Sequence, residues 1–130
     1  MTRPLPRLMM ASLLWLGGCG GTTDPSKVDL NGTWQATVGT LGIVTMTLTL
    51  VERNSELTAT GQWAPVEGGA SRTVTGQGLH FGVDLNLVLR FSTTAGSADY
   101  TTQGRVEDEN SFHLVFPSVE SPTRVVFQRK

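Results

Sequence analysis

The sequence predicts an all-β protein: a single eight-stranded antiparallel up-and-down (meander) barrel after an N-terminal signal segment and a flexible tether. Apolar and polar residues alternate along residues 43–51 (IVTMTLTLV) and 83–91 (VDLNLVLRF), with the two-residue period of a strand that is wet on one face. Turn-forming residues recur between such segments, and from Val28 onward no apolar stripe follows the helical period.

Eight segments carry the strand pattern. The predicted strands are 33–38, 43–51, 57–63, 71–76, 83–91, 99–106, 111–116 and 123–129. In the strand at 43–51, four apolar side chains are predicted to share one face: Val44, Met46, Leu48 and Leu50. Residues 77–82 (QGLHFG) are ambiguous between a strand continuation and a loop. A closed barrel is preferred to an open meander because closure removes the two exposed sheet edges.

The first 18 residues have the features of a secretory signal. Two arginines precede a nine-residue apolar run, LMMASLLWL, which is shorter than the roughly 20 residues that span a bilayer. The run ends in Leu16-Gly17-Gly18-Cys19, which resembles the bacterial lipoprotein box. The resemblance implies cleavage before Cys19, diacylglycerol on its thiol, and a further fatty acid such as palmitate on the new amino terminus. The alternative is an unmodified Cys19 in an exported or a cytoplasmic protein.

The chain therefore divides into a signal peptide (1–18), a flexible tether (19–27) and a barrel domain (28–130). Gly20 follows the cysteine, where enterobacterial lipoproteins retained at the inner membrane have aspartate. The resemblance thus favours a cell-envelope protein lipid-anchored to the outer membrane, with its face undetermined. With 10 basic and 11 acidic residues, the sequence shows no basic footprint for nucleic acid. Several predicted strands are also shorter than the roughly 9–11 residues of a membrane-spanning barrel.

A short motif opens the barrel domain: Gly32-Thr33-Trp34, in DLNGTWQATVG. It resembles the G-x-W of the calycin group, which includes the lipocalins and avidins. In that group the tryptophan seals one end of the barrel beneath an arginine near the last strand. The resemblance implies this structural role for Gly32 and Trp34, with Arg124 or Arg129 stacked on the indole.

The resemblance does not extend to biotin binding. The segments LTATGQW and TVTGQGL are similar to avidin strands that contain T-G-x-aromatic. Ala36, however, stands where avidins place a polar ligand contact, and Trp63 stands where they place a tyrosine hydroxyl. A bicyclic urea needs convergent hydrogen-bond partners, so the sequence argues against biotin as the ligand.

Residues able to carry chemistry are sparse. His113 lies between Phe112 and Leu114, so alternation predicts it on the wet face, and His80 lies in the ambiguous QGLHFG segment. A surface histidine is the preferred interpretation of each. No third ligand joins them at a metal-binding spacing, and no serine lies in G-x-S-x-G. The sequence therefore predicts no enzyme, no metal site and no cofactor.

The barrel interior leaves two functions open. An eight-stranded barrel is wide enough either to be filled by side chains or to hold one small ligand, and filling is preferred. The residues that would line a ligand cavity are Met46, Trp63, Leu87, Leu89 and Phe112. The predicted function is a lipid-anchored, non-catalytic binding module whose loops meet an envelope partner. The alternative is a carrier of a small apolar ligand inside the barrel.

Overall fold

The computed structural model describes residues 24–117 and 121–130 and contains a closed barrel of eight antiparallel strands. Every strand pairs with the next along the chain, and the last strand closes the sheet by pairing with the first. The strands are β1 (Gly32–Thr37), β2 (Ile43–Arg53), β3 (Glu56–Pro65), β4 (Arg72–Phe81), β5 (Asp84–Thr93), β6 (Gly96–Asp108), β7 (Ser111–Phe116) and β8 (Thr123–Arg129). The predicted fold class is confirmed.

The ambiguous segment 77–82 is mostly strand. β4 continues through it as far as Phe81, and Gly82, with a φ of 59°, begins the turn to β5. Both neighbours pair with this part of β4, since Leu79 lies opposite Glu56 of β3 and Phe81 lies opposite Asp84 of β5. Hydrogen-bonding partners on both sides therefore extend the strand beyond the end that its own sequence pattern indicated.

Burial alternates along β2, with one interruption. Met46, Leu48 and Leu50 are buried in the barrel interior. The expectation that Val44 shares their face is wrong, because its side chain is 42% exposed and Ile43 is buried instead. The pairing of β2 with β3 is irregular between residues 43 and 45, as at a β-bulge, and this shifts the alternation by one residue.

Three glycines lie at inward positions where the strands run very close together. A Cβ atom added to Gly61, Gly78 or Gly104 would lie 1.7–1.8 Å from a backbone oxygen of the neighbouring strand. No side chain fits in that space, so these positions require glycine. Close approaches of this kind allow a sheet of eight strands to bend into a narrow barrel.

The closed end of the barrel is the end at which β1 begins and β8 finishes. The chain reaches it through a short 3-10 helix, Pro25–Lys27, which is the last part of the predicted tether. Val28 and Leu30 then bury their side chains against the core. The three turns at this end, which follow β2, β4 and β6, are each two residues long. The entering segment and tight turns together cover the closed end.

The loop end is the opposite end of the barrel and carries the longer connections. Residues 38–42, 66–71 and 117–122 join the strand pairs β1–β2, β3–β4 and β7–β8, and the connection at 94–95 is short. Alternate connections of an antiparallel meander emerge at the same end. The two loops with the sequences APVEGGA and PSVESP therefore both lie at the loop end, opposite the tether; residues 118–120 of the second loop fall outside the described part.

Candidate functional site

An arginine stacked on a tryptophan seals the closed end. The guanidinium carbon of Arg129 lies 4.3 Å from the ring centroid of Trp34. Its nitrogens donate hydrogen bonds of 2.8–3.1 Å to the main-chain oxygens of Asp29, Asn31 and Glu109. Gly32 gives the guanidinium room, since an added Cβ would lie 3.1 Å from one of its nitrogens. Gly32, Trp34 and Arg129 thus form one structural closure, which binds backbone rather than a ligand.

Arg124, the other candidate for this role, lies on the outer face of β8, and that alternative is corrected. Its guanidinium pairs with the carboxylate of Glu107, whose Oε2 also lies 2.7 Å from His113 Nδ1. The hydrogen bonds with His113 and Arg124 hold the pKa of Glu107 below its ordinary value of 4.5, although burial opposes the shift. His113 lies on the outer face, as alternation predicted.

His80 is buried at the closed end, so the expectation of a surface histidine is wrong for this residue. Its side chain is 5% exposed, with Nδ1 2.8 Å from Glu52 Oε2 and Nε2 2.9 Å from the carbonyl oxygen of Gly82. With Glu52 ionised, both contacts are satisfied when both ring nitrogens donate. Glu52 Oε1 also accepts a hydrogen bond from the Leu30 amide at 3.3 Å. The pair therefore fastens the segment that covers the closed end.

The middle of the barrel is occupied by packed apolar side chains. Met46, Leu87 and Leu89 are each between 0 and 2% exposed. A buried polar group among them is satisfied, because the Thr102 hydroxyl donates to the carbonyl oxygen of Leu87 at 2.6 Å. Three of the residues predicted to line a cavity thus contribute to a filled core.

The other two predicted lining residues lie at opposite ends of the barrel. Phe112 packs at the closed end, where its ring centroid is 4.8 Å from that of Trp34 and 4.9 Å from that of Phe127. Trp63 lies near the loop end, two residues before β3 ends at Pro65. The structure therefore does not gather the five residues around a single space.

Four aromatic side chains form a cluster beneath the loops, here named the loop-end aromatic cluster: Trp63, Phe91, Tyr100 and Phe116. The ring centroid of Phe91 lies 5.8 Å from Trp63, 5.4 Å from Tyr100 and 6.3 Å from Phe116. Phe91 and Phe116 are fully buried, whereas Tyr100 is half-buried. The cluster thus reaches from the core to solvent through Tyr100.

The indole nitrogen of Trp63 is buried and has no hydrogen-bond partner among the residues that the structure describes. The guanidinium of Arg72 lies 5.4 Å from the Trp63 ring centroid and pairs with Glu67 at 3.4 Å. Trp34 differs, because its indole nitrogen donates to the carbonyl oxygen of Leu30 at 3.0 Å. A buried donor without an acceptor costs about 1–3 kcal/mol, so the Trp63 indole is open to a new partner.

The β1–β2 loop beside the cluster holds a leucine in an unfavourable backbone conformation. Leu41 has a φ of 60° and packs, half-buried, against the core. Its neighbours in the loop, Gly39 and Gly42, have φ values of 73° and 75°. The left-handed conformation costs a residue with a Cβ roughly 1–2 kcal/mol, so the packing of Leu41 over the loop end offsets a local strain.

The outer face of the barrel is mainly polar, with scattered apolar side chains. Leu79, Phe81 and Val88 are 39–58% exposed. A shallow groove of about 310 Å³ crosses β4 and β5 beside the ion pair of Arg90 with Asp99. This groove is open to solvent and lies outside the barrel, so it does not provide the enclosed space that a carrier would use.

The predicted lipidation site, Cys19, lies outside the described part of the chain, as do the other residues of the predicted lipoprotein box, Leu16, Gly17 and Gly18. Within residues 24–117 and 121–130, no helix has the length and apolar character needed to cross a bilayer. Across the same ranges, no three His, Cys, Asp or Glu side chains come together as a metal site requires.

Sequence reasoning missed Glu52 and the role of Leu30. Glu52 follows Leu50 by two residues, so it occupies an inward position of β2. His80 follows Val74 by an even number of residues and occupies an inward position of β4. An acid and a histidine on inward positions near the same end were the available signal for the buried pair.

The fold and its sealed end define the class of protein: an eight-stranded, calycin-like barrel. The chain is similar to two redesigned β-barrels of known structure, each 15% identical to it. One is mFAP1 bound to DFHBI, with a TM-score of 0.65 over 83% of this chain and 100% of that chain. The other is b11L5F_LGL, with a TM-score of 0.62 over 78% of this chain and 91% of that chain. No family model and no curated protein matches the sequence. At this identity the likeness concerns the fold.

Proposed function

We propose that the protein is a lipid-anchored module of the cell envelope that binds its partner without catalysis, through the loop end of the barrel. The observation that carries the proposal is that the two ends of the barrel differ. The tether enters at the closed end, whose turns have two residues each, while connections of five and six residues gather at the opposite end. Longer loops on a rigid scaffold are where binding residues concentrate.

The anchor is argued from the leader. A short apolar run with basic residues before it and L-G-G-C after it has the features of a lipoprotein signal. Four residues lie between Cys19 and Asp24, and the five Cα-to-Cα steps span at most roughly 18 Å when extended. The proposed lipid therefore holds the closed end close to the bilayer and presents the loop end to the surrounding compartment.

The loop between β3 and β4 offers an exposed apolar contact. Val66 is 60% exposed, the highest value among the large apolar side chains of the described residues. The next residue, Glu67, pairs with Arg72 at the start of β4, and this ion pair lies at the base of the same loop. An apolar side chain bordered by charges is the composition expected of a small protein-binding surface.

Two experiments test the proposal. Mass spectrometry of the mature protein is expected to show an acylated amino-terminal cysteine, and Cys19→Ala is expected to abolish both lipid and membrane association. Capture of envelope partners is then compared for the wild type, Val66→Asp and Val88→Asp. The loop variant is expected to lose the partner, and the outer-face control is expected to keep it. An unmodified Cys19, or equal capture by both variants, contradicts the proposal.

A second candidate function, the carrier of a small apolar ligand, is favoured by one observation. At the end of the barrel that is not sealed by Arg129, the Trp63 indole nitrogen is buried and finds no acceptor within residues 24–117 and 121–130. One of the two similar barrels was solved bound to DFHBI, which is consistent with this scaffold accepting a small molecule. Binding of a small molecule at stoichiometric amount, recovered with the purified protein, is the expected result for a carrier.

A further inference from the structure

Trp34 and Trp63 form a natural comparison within one barrel. Both side chains are buried, at 0% and 7% exposure, and both lie against a phenylalanine ring and an arginine. The Trp34 indole donates to a main-chain oxygen, whereas the Trp63 indole has no partner among the described residues. The closed end therefore satisfies its tryptophan internally, and the loop end leaves its tryptophan available.

We propose that the Trp63 indole nitrogen is the hydrogen-bond donor to a carbonyl oxygen of a small aromatic ligand that enters at the loop end. The inference rests on the carrier function described above and adds the class of ligand and the residue that orients it. It is independent of the lipid anchor.

The surroundings of Trp63 select the chemistry of the ligand. The rings of Phe91 and Tyr100 pack edge to face, with their centroids 5.4 Å apart. An aromatic ring of a ligand can add to such a cluster by the same kind of contact. The Arg72 guanidinium beside the Trp63 ring is already paired with Glu67, and the rings around Trp63 offer no carboxylate, so burial of a cationic ligand among them is costly. A neutral aromatic ketone, ester or amide therefore fits these groups better than an amine.

In this proposal the ligand enters by displacing the β1–β2 loop. Leu41 packs against the core in a strained conformation and lies between two glycines of positive φ, which adopt many backbone conformations at little cost. Displacement of Leu41 relieves its backbone strain, and the ligand replaces its apolar contacts. The half-buried Tyr100 is the member of the loop-end aromatic cluster that an entering ligand meets first.

The test uses two probes of equal shape, 2-acetylnaphthalene and 2-ethylnaphthalene, of which only the first has a carbonyl oxygen. The full chain is labelled with ¹⁵N at its tryptophan indoles, and the resonances of Trp15, Trp34 and Trp63 are assigned with Trp→Phe variants. Addition of 2-acetylnaphthalene is expected to move the Trp63 indole proton downfield and to leave the Trp34 proton unchanged.

The affinities give a second readout. One hydrogen bond contributes about 0.5–1.5 kcal/mol, so the acetyl probe is expected to bind roughly five-fold more tightly than the ethyl probe. Trp63→Phe keeps an aromatic ring and is expected to abolish this difference. If that variant does not fold, the comparison of the two probes on the wild-type chain still decides the matter.

The outcomes separate the inference from the function on which it rests. Equal affinity for both probes, or a shift confined to Trp34, overturns the role of Trp63 and leaves the carrier function standing. Binding of neither probe overturns both.

Discussion

Replacement of Arg129 by lysine is expected to loosen the closed end, although the charge is kept. The guanidinium stacks 4.3 Å from the Trp34 ring centroid and donates to three different main-chain oxygens at once. An ammonium group is a compact point of charge without a flat face, so it cannot occupy all these positions together. Arg129→Lys is therefore a test of geometry rather than of charge.

The expected loss follows from the contacts. Two of the three carbonyl partners lose their donor, at about 1 kcal/mol each, and the weaker stacking on Trp34 adds about 0.5–1 kcal/mol. The free energy of unfolding is therefore expected to fall by about 2–3 kcal/mol. For a domain of roughly 100 residues this corresponds to a decrease in Tm of about 10 °C.

Urea and thermal unfolding, followed by tryptophan fluorescence and circular dichroism, measure the change. Arg90→Lys is the matched control, because Arg90 makes two hydrogen bonds to Asp99 on the outer face while its side chain is 64% exposed. Exposed ion pairs contribute little, so the control is expected to leave stability nearly unchanged. Equal losses for the two variants would refute the assignment of Arg129 as the closing residue.

Three further predictions concern the barrel. Gly78→Ala would place a Cβ 1.7 Å from a backbone oxygen, and it is expected to lower the free energy of unfolding in urea by more than about 3 kcal/mol. Gly76→Ala would place its Cβ 2.7 Å from the flexible end of a side chain, and it is expected to lower the free energy of unfolding by less. Equal losses for the two variants would contradict the close approach at Gly78. His80→Gln and Glu52→Gln are each expected to lower the free energy of unfolding by about 1–3 kcal/mol, and the double variant is expected to lose less than the sum of the two single losses. Strict additivity of the two losses would contradict the buried pair. Because folding lowers the pKa of Glu107, its stabilisation is present above pH 4.5 and is lost as the pH falls through the folded-state value; a pH titration of unfolding is expected to show a smaller loss in Glu107→Gln than in the wild type.

The sequence was sufficient to predict the strands because burial on one face imposes a two-residue period. It failed where a local irregularity changed that period. The exposure of Val44 depends on a bulge between β2 and β3, and such a bulge is a property of the pairing of two strands. Likewise, QGLHFG contains two glycines and became strand because its neighbours supplied hydrogen bonds on both sides.

The closed end was predicted in part. The motif around Trp34 indicated a sealed barrel, and two arginines were equally eligible for the cap. Their positions decide between them: Arg129 is an inward residue at the end of β8, opposite Trp34 across the β1–β8 pairing, whereas Arg124 is an outward residue. Counting alternate residues in both directions from the buried Phe127 places Arg129 on the inward face and Arg124 on the outward face.

The loop end could not be predicted to the same extent. That Trp63 has no hydrogen-bond partner in the described part of the chain depends on which atoms surround the indole, and alternation determines only the face on which a residue lies. The strain at Leu41 could not be predicted from the sequence either. GTLG has the composition of an ordinary turn, and the pattern does not show that Leu41 shares the left-handed conformation of the two glycines. Three-dimensional packing was needed to identify this end as the candidate site.

The depth of two positions relative to the bilayer tests most directly the claim that anchor and binding loops lie at opposite ends. Val66→Cys at the loop end and Phe81→Cys at the closed end are each spin-labelled in the protein on vesicles, where the proposed lipid on Cys19 would leave the introduced cysteine as the labelling site. Strands of ten residues, tilted in a barrel, separate the two ends by roughly 25 Å. The Phe81 label is expected to lie near the headgroups and the Val66 label in bulk water. A Val66 label as close to the bilayer as the Phe81 label would contradict the account.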